Sequence, residues 1–268
     1  MAEIPKYPRR LIEVDLPIRK ISQHARREKS IRHGHISTLH IWWARRPLAA
    51  CRAVVLATLL PDPADQNCPK GFRDAAEENL QRLRENRGGA KKPLIDPEDL
   101  RAGLLDFIGE FANWDNTTEA TLLEVARQLV HAAHSSLDEN SSGRPIVLDP
   151  FAGGGSIPLE ALRCGADAIA SDLNPVAVIL NRVTLEYIPR FGLRLADAVR
   201  EWGAWVREQS LTRLCECFPA ILIERSQSHT FGLARCSARG RGAVSVSRCF
   251  GVVGWLERAT DGLGSILS

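Results

Sequence analysis

Apolar side chains recur along the chain at helical spacing in several stretches. The pattern predicts helices over residues 47–60, 72–86, 96–111 and 117–134, followed by a further amphipathic helix over 193–209. Their apolar stripes are typical of packing surfaces between helices. Polar and proline-bearing stretches separate these helices, so the first half of the chain is expected to be helical.

A different pattern begins at residue 146. Residues 146–148 form a short apolar run that ends at Asp149, as in a strand buried on both faces of a parallel sheet. A helix follows, with Pro158 in its first turn and Gly165 at its end. Residues 168–170 predict a second strand, and Asn174 and Pro175 predict the cap and first residue of another helix. The order strand, helix, strand predicts a βαβ unit with a ligand crevice at the carboxyl ends of the strands.

Three glycines and one acid give this unit its candidate chemistry. Gly153, Gly154 and Gly155 allow positive φ and let the backbone approach a ligand. Asp172, at the end of the second strand, lies 19 residues after Gly153, close to the roughly 20 expected between a glycine turn and a ribose-binding acid. A carboxylate there can accept hydrogen bonds from ribose hydroxyls. Both a dinucleotide and S-adenosylmethionine fit this spacing.

The turn itself favours S-adenosylmethionine. A dinucleotide fingerprint requires Gly-x-Gly-x-x-Gly, but Pro158 stands at the third glycine position. Asp149, just before the turn, would repel a pyrophosphate, whereas it suits the ammonium and sulfonium of S-adenosylmethionine. The alternative is a glycine-bearing strand-to-helix turn in some other α/β enzyme.

Size and composition are those of an ordinary globular protein. The 268 residues allow one or two domains, and a net charge of +3 is too small to indicate nucleic-acid binding by itself. No apolar stretch reaches the roughly 18 residues of a membrane span, so no membrane partner is predicted. Residues 1–10 lack the apolar core of a signal peptide. A cytoplasmic protein is therefore expected.

Positive charge is concentrated near the start of the chain. Residues 18–46 contain eight arginines and lysines against one acid, Glu28, and Trp42 and Trp43 lie within this stretch. Guanidinium groups bind phosphates and indole faces stack on bases, so the mixture suits a nucleic-acid backbone. The alternative is a solvated basic helix followed by two core tryptophans. The candidate nucleic-acid-binding residues are Arg26, Arg27, Lys29, Arg32, Arg45 and Arg46.

No metal site is predicted from the histidines or cysteines. The histidines of the basic stretch have no standard ligand spacing, and the cysteine pair at 215 and 217 is not the Cys-x2-Cys of a zinc ribbon. The residues considered for zinc were His33, His35, His40, Cys215, Cys217, Cys236 and Cys249.

Two blocks of the chain resemble a known family. Residues 149–155, Asp-Pro-Phe-Ala-Gly-Gly-Gly, resemble the Asp-Pro-Phe-x-Gly-x-Gly cofactor motif of amino-methylating DNA methyltransferases. Residues 41–49, Ile-Trp-Trp-Ala-Arg-Arg-Pro-Leu-Ala, lie in a block that looks like the opening domain of large prokaryotic adenine-specific DNA methylases. The resemblance covers residues 9–60 and 144–208. Those methylases are described as containing a zinc ribbon, and some lie beside phage-defence genes.

The resemblance implies an S-adenosylmethionine-dependent methyltransferase acting on adenine N6 of DNA. Cytosine N4 stays open, because both chemistries use similar motifs. Phage-defence and restriction-modification proteins are further candidate partners. Together with the glycine turn, the resemblance implies cofactor binding by Asp149, Phe151, Ala152, Gly153, Gly154, Gly155, Asp172 and Asn174.

One expected element is missing from the sequence. Amino-methylating DNA methyltransferases also need Asp-Pro-Pro-Tyr or a close variant, which holds the target amine and stacks on the flipped base. This chain has no Pro-Pro dipeptide, so no catalytic residue is predicted. From Ser210 onward helical periodicity is lost and no lysine occurs. The tail 210–268 is therefore expected to be out-of-frame or disordered sequence.

The predicted fold class is α/β. A basic N-terminal region (1–60) and a helical segment (61–143) precede a partial Rossmann-like methyltransferase domain (144–209). We expect an N-terminal fragment of a DNA adenine methyltransferase that is inactive alone. The alternatives are a non-catalytic nucleic-acid-binding subunit on a degenerate methyltransferase half, and a methyltransferase acting on RNA or small molecules.

Overall fold

The computed structural model describes residues 7–31, 40–88, 96–116, 119–137 and 143–217. These residues form a mixed α/β structure that is mostly helical and contains a two-stranded parallel sheet. They fall into two compact units, with residues 7–31 and the described residues of 40–186 in the first and residues 187–217 in the second. Within these ranges, none of the helices combines the length and apolar character that a membrane span requires.

The elements that the sequence predicts appear in the predicted order, together with further helices that it did not predict. The helices of the first half are α1 (Leu11–Val14), α2 (Ile18–Ser30), α3 (Leu48–Leu59), α4 (Lys70–Asn86), α5 (Pro97–Phe111) and α6 (Ala120–Leu137). The second half contains β1 (Ile146–Asp149), α7 (Ser156–Arg163), β2 (Asp167–Ala170), α8 (Pro175–Asn181), α9 (Ile188–Phe191) and α10 (Leu193–Cys217). The predictions for α3 to α6 are confirmed within a few residues at each end.

Helix α3 is the centre of the first unit. It packs against α1, α2, α5, α6 and α7, and its side chains are buried around most of its circumference. An apolar helix of this kind is stable only inside a core. Large side chains from α4 and α5, among them Phe72, Leu104 and Phe111, complete that core.

The strand–helix–strand prediction is confirmed. Strands β1 and β2 pair in parallel, with Ile146 opposite Asp167, and α7 connects them. Gly165 adopts φ +90° just after α7, which explains the glycine at the predicted helix end. The prediction that β1 is buried on both faces is wrong for the described residues, because Ile146 and Leu148 are exposed. Helix α7 packs against the sheet and supplies one covering layer.

Helices α8 and α10 begin where the sequence predicts them, but α10 is longer than expected. Asn174 caps α8, as predicted, since its side-chain oxygen accepts a hydrogen bond from the Val176 amide at 2.9 Å. Helix α10 extends to Cys217, so the expectation that helical structure ends near residue 209 is wrong. The residues beyond 217 lie outside the described ranges. Trp202 and Trp205, on the predicted apolar side of α10, are exposed.

Candidate ligand site at the glycine turn

The turn between β1 and α7 is built on two glycines with positive φ. Gly153 adopts φ +51° and Gly155 adopts φ +76°, values that L side chains disfavour. The Gly155 amide donates a hydrogen bond to the Ala152 carbonyl at 2.8 Å, which closes the turn. Gly155 is also the N-cap of α7. The prediction of positive φ is therefore confirmed for these two glycines.

The Asp172 carboxylate is hydrogen-bonded to the segments that follow β1 and β2. One carboxylate oxygen accepts a hydrogen bond from the Gly153 amide and the other from the Asn174 amide, each at 2.8 Å. The hydrogen bonds from Asn174 and Gly153 hold the pKa of Asp172 below its usual value. The side chain is partly exposed and ionised at neutral pH. Each oxygen retains a further lone pair that can accept a hydrogen bond from a ligand.

Three other predicted cofactor residues lie along the same edge of the sheet. Asp149 is half-buried, and its Oδ1 accepts a hydrogen bond from the Phe151 amide at 3.1 Å. Phe151 itself is exposed, as is Leu173 after β2. Ala152 is buried, and its amide donates to the Ser171 carbonyl at 3.0 Å. The carboxyl ends of β1 and β2 thus present two acids and exposed apolar side chains together.

Side chains of the protein itself lie where a Cβ on each of the three glycines would be. A Cβ added at Gly153 would lie 2.7 Å from Nε1 of Trp42. At Gly154 the nearest atom would be Cβ of Trp42, at 3.3 Å, and at Gly155 it would be Oδ1 of Asn181, at 2.6 Å. Packing within the protein is therefore sufficient to require small residues here. A ligand is not needed to explain them, and the sequence did not indicate these contacts.

Two buried polar atoms beside the turn have no hydrogen-bond partner among the described residues. They are Oδ1 of Asn181 and Oγ of Ser156, the first residue of α7. The Asn181 amide nitrogen, by contrast, donates to the carbonyls of Gly153 and Ala177 at 3.0 and 2.8 Å. Since buried polar atoms are nearly always hydrogen-bonded, these two mark places where a water or a ligand group would be stabilised.

The basic stretch contributes a second turn, residues 42–45, which packs on the glycines. The Arg45 amide donates to the Trp42 carbonyl at 3.3 Å. The Arg45 guanidinium lies 3.8 Å from the Glu28 carboxylate and is half-buried. Glu28 is buried and accepts hydrogen bonds from the Leu48 and Ala49 amides at 3.0 and 3.1 Å. The one acid of the basic stretch therefore caps α3 and holds the turn in place.

The predicted nucleic-acid-binding residues are not equivalent in the structure. Arg26, Lys29 and Arg46 are exposed. Arg27 is exposed but forms an ion pair with Asp115. Arg45 is turned toward the glycines, and burial lowers its pKa. Arg32 lies outside the described residues. Trp42 is half-buried whereas Trp43 is exposed, so the alternative of two core tryptophans is wrong for Trp43.

Behind the site, a buried ion pair fixes α7 against α3. The Arg52 guanidinium donates to the Glu160 carboxylate at 2.6 and 3.1 Å, and both side chains are fully buried. Arg52 also donates to the Phe111 carbonyl at 2.7 Å. Sequence reasoning missed this pair. A lone arginine within the apolar run of residues 48–59 was its available signal, because such a charge must be paired when buried.

The described residues contain no group of three or more histidine, cysteine or acidic side chains able to hold a metal ion. His40 lies within the described ranges. Cys215 and Cys217 lie in the last turns of α10, and the remaining candidates for zinc, His33, His35, Cys236 and Cys249, lie outside the described residues.

Comparison with known proteins gives a match to part of the chain. The model of a protein family of unknown function, DUF1156, matches residues 15–85, which contain α2, α3, the turn at residues 42–45 and all of α4 except its last residue. No curated protein and no solved structure matches the chain.

Proposed function

We propose that this chain is the cofactor-binding part of an S-adenosylmethionine-dependent DNA methyltransferase with a Rossmann-like domain. The proposed acceptor is the exocyclic amine of adenine. The observation that carries the proposal is the placement of Asp172. Its ionised carboxylate is fixed beside the glycine turn, at the carboxyl end of β2, where an adenosine-type cofactor binds in sheets of parallel strands.

The residues at this edge fit the cofactor's functional groups. Asp172 would accept hydrogen bonds from the two ribose hydroxyls with its remaining lone pairs. The Asp149 carboxylate would attract the ammonium and the sulfonium, and exposed Phe151 would contact an apolar part of the cofactor. Asn174, which follows Asp172 at the start of α8, would approach the adenosine. When bound, the cofactor supplies a methyl group activated by the positive sulfur.

DNA is the proposed partner because the exposed cations lie in the block that resembles DNA methylases. Arg26 and Lys29 on α2, together with Arg46, are exposed and able to contact phosphates. The chain has no Pro-Pro dipeptide, and hence no Asp-Pro-Pro-Tyr loop to position a flipped base. We expect no methyl transfer by these 268 residues alone.

Titration calorimetry with S-adenosylmethionine tests the cofactor site. Asp172→Asn removes the charge beside the turn, and Asp167→Asn removes an exposed charge at the opposite end of β2. The proposal predicts binding by the wild type and by the Asp167 variant, and weaker binding by the Asp172 variant. Thermal unfolding of both variants separates lost binding from lost structure, since Asp172 also accepts two backbone hydrogen bonds. Equal affinity of both variants for S-adenosylmethionine would show that Asp172 does not contact the cofactor.

A second candidate function is favoured by one observation. Trp42 and Asn181 pack against the glycines so closely that the turn is explained without any ligand. A non-catalytic nucleic-acid-binding subunit would have this geometry and no affinity for the cofactor. Salt-dependent DNA binding together with an absent calorimetric signal for S-adenosylmethionine would favour this second function.

A further inference from the structure

We propose that the tip of the turn at residues 42–45 receives an unpaired base of the DNA strand, with Trp43 stacking on the base and Arg46 contacting its phosphate. This inference rests on the proposed function, because it places the acceptor strand beside the cofactor site. Trp43 and Arg46 would then favour a nucleic acid over a small acceptor molecule.

The base of this turn is fixed in position. Trp42 and Arg45 both lie against Gly154, with their nearest atoms 3.3 and 3.5 Å from the place of a Cβ. Arg45 in addition faces the buried Glu28 carboxylate at 3.8 Å. Packing on one side and charge on the other thus hold residues 42 and 45 against the glycine turn.

The tip of the turn, by contrast, is exposed. Trp43 and Ala44, the two residues between the fixed positions, are exposed, and Trp43 retains 89% of its accessible surface. Burying an indole normally stabilises a protein, so an exposed indole on a fixed turn is available for a ligand. Its neighbour Ile41 is exposed to a similar degree. The tip is therefore an aromatic and apolar surface next to the proposed cofactor site.

The charge beside this surface indicates which ligand it suits. Arg46 follows the turn directly and is exposed. An exposed aromatic ring three residues before an exposed guanidinium matches a nucleotide, whose base can stack on the ring and whose phosphate can accept the guanidinium hydrogen bonds. Bases within a duplex are already stacked on their neighbours. The surface therefore suits a single strand or an extruded base better than an intact duplex.

Fluorescence anisotropy with a labelled single-stranded DNA oligonucleotide containing adenines tests this inference. Trp43→Ala should weaken binding by about 5- to 150-fold, the loss that corresponds to one base–aromatic stack. Trp43→Phe should restore part of the affinity. Arg46→Ala should reduce the slope of log affinity against log salt by about 0.7, as expected for one lost phosphate contact to a single strand. Trp205→Ala, which removes another exposed tryptophan, is the matched control and should bind like the wild type.

Calorimetry with S-adenosylmethionine on the same proteins separates this inference from the proposed function. Cofactor binding retained in Trp43→Ala, with weakened DNA binding, supports both. Wild-type affinity for DNA in Trp43→Ala overturns the inference even where the cofactor binds. The inference is also overturned if the wild type binds no single-stranded DNA, or if it binds an RNA strand alone. If the wild type does not bind S-adenosylmethionine, the proposed function is contradicted, while the DNA measurement still decides the role of Trp43.

Discussion

Removing the charge of Glu160 is the most direct test of how the first unit is held together. Glu160→Gln keeps the shape of the side chain but leaves the Arg52 guanidinium without its anion. Both side chains are fully buried, and the guanidinium makes two hydrogen bonds to the carboxylate. Arg163 lies 3.2 Å from the same carboxylate, so a second ion pair is lost as well.

The expected cost follows from these surroundings. Removing one partner of a buried ion pair costs about 3–5 kcal/mol, because the remaining charge is left uncompensated. A domain has only about 5–15 kcal/mol of stability in total. Burial alone would raise the pKa of Glu160, but Arg52 and Arg163 hold it below its ordinary value of 4.5. Its contribution is therefore fully present above that value and is lost as the pH falls through the lowered pKa.

Urea unfolding followed by circular dichroism measures the effect. Glu160→Gln is compared with Glu85→Gln, an exposed glutamate on α4. We expect a large loss of unfolding free energy for the first variant at neutral pH, a smaller one in acid, and almost none for the second. A difference between the variants below about 0.5 kcal/mol, the usual range for surface substitutions, would show that Glu160 is not a buried charge in solution.

Three further predictions concern single sites. In thermal unfolding, Gly153→Ala should destabilise the protein by about 1–3 kcal/mol, since the new Cβ would lie 2.7 Å from the Trp42 indole in a turn with positive φ. Gly143→Ala is the control, because a Cβ there meets open space, and it should leave the stability unchanged. Burial raises the pKa of both Cys51 and Cys164 to about 12, so an alkylating reagent at pH 8 should modify them only after unfolding, as read by peptide mass spectrometry. Glu28→Ala should leave two amides at the start of α3 without an acceptor and lower the free energy of unfolding in urea by about 1–3 kcal/mol. An unchanged urea midpoint would show that Glu28 does not cap α3.

Most of the secondary structure could be predicted from local patterns. The helices α3 to α6 follow from apolar spacing, and the βαβ unit follows from an apolar run, three glycines and Gly165. These signals succeed because each lies within a few residues of the element that it specifies. The Asn174 cap of α8 was found for the same reason.

Contacts between distant segments could not be predicted in this way. Trp42 packs on Gly153, and Arg52 pairs with Glu160 more than a hundred residues away. No local pattern links those positions, although the lone arginine of α3 shows that a partner must exist. Helix α10 ends at Cys217 rather than near residue 209, and Leu211, Leu214 and Cys215 continue the helical spacing of apolar residues past that point.

The buried Arg52–Glu160 ion pair between α3 and α7 limits where the chain can be divided. A polypeptide that starts at residue 144 would retain β1, α7 and β2 but would lose Arg52, leaving the carboxylate at Glu160 without its main cation. Such a shortened chain should not fold independently, and it would also lose Trp42, which packs on the glycine turn. Recombination between relatives would therefore have to exchange α3 and α7 as a matched pair.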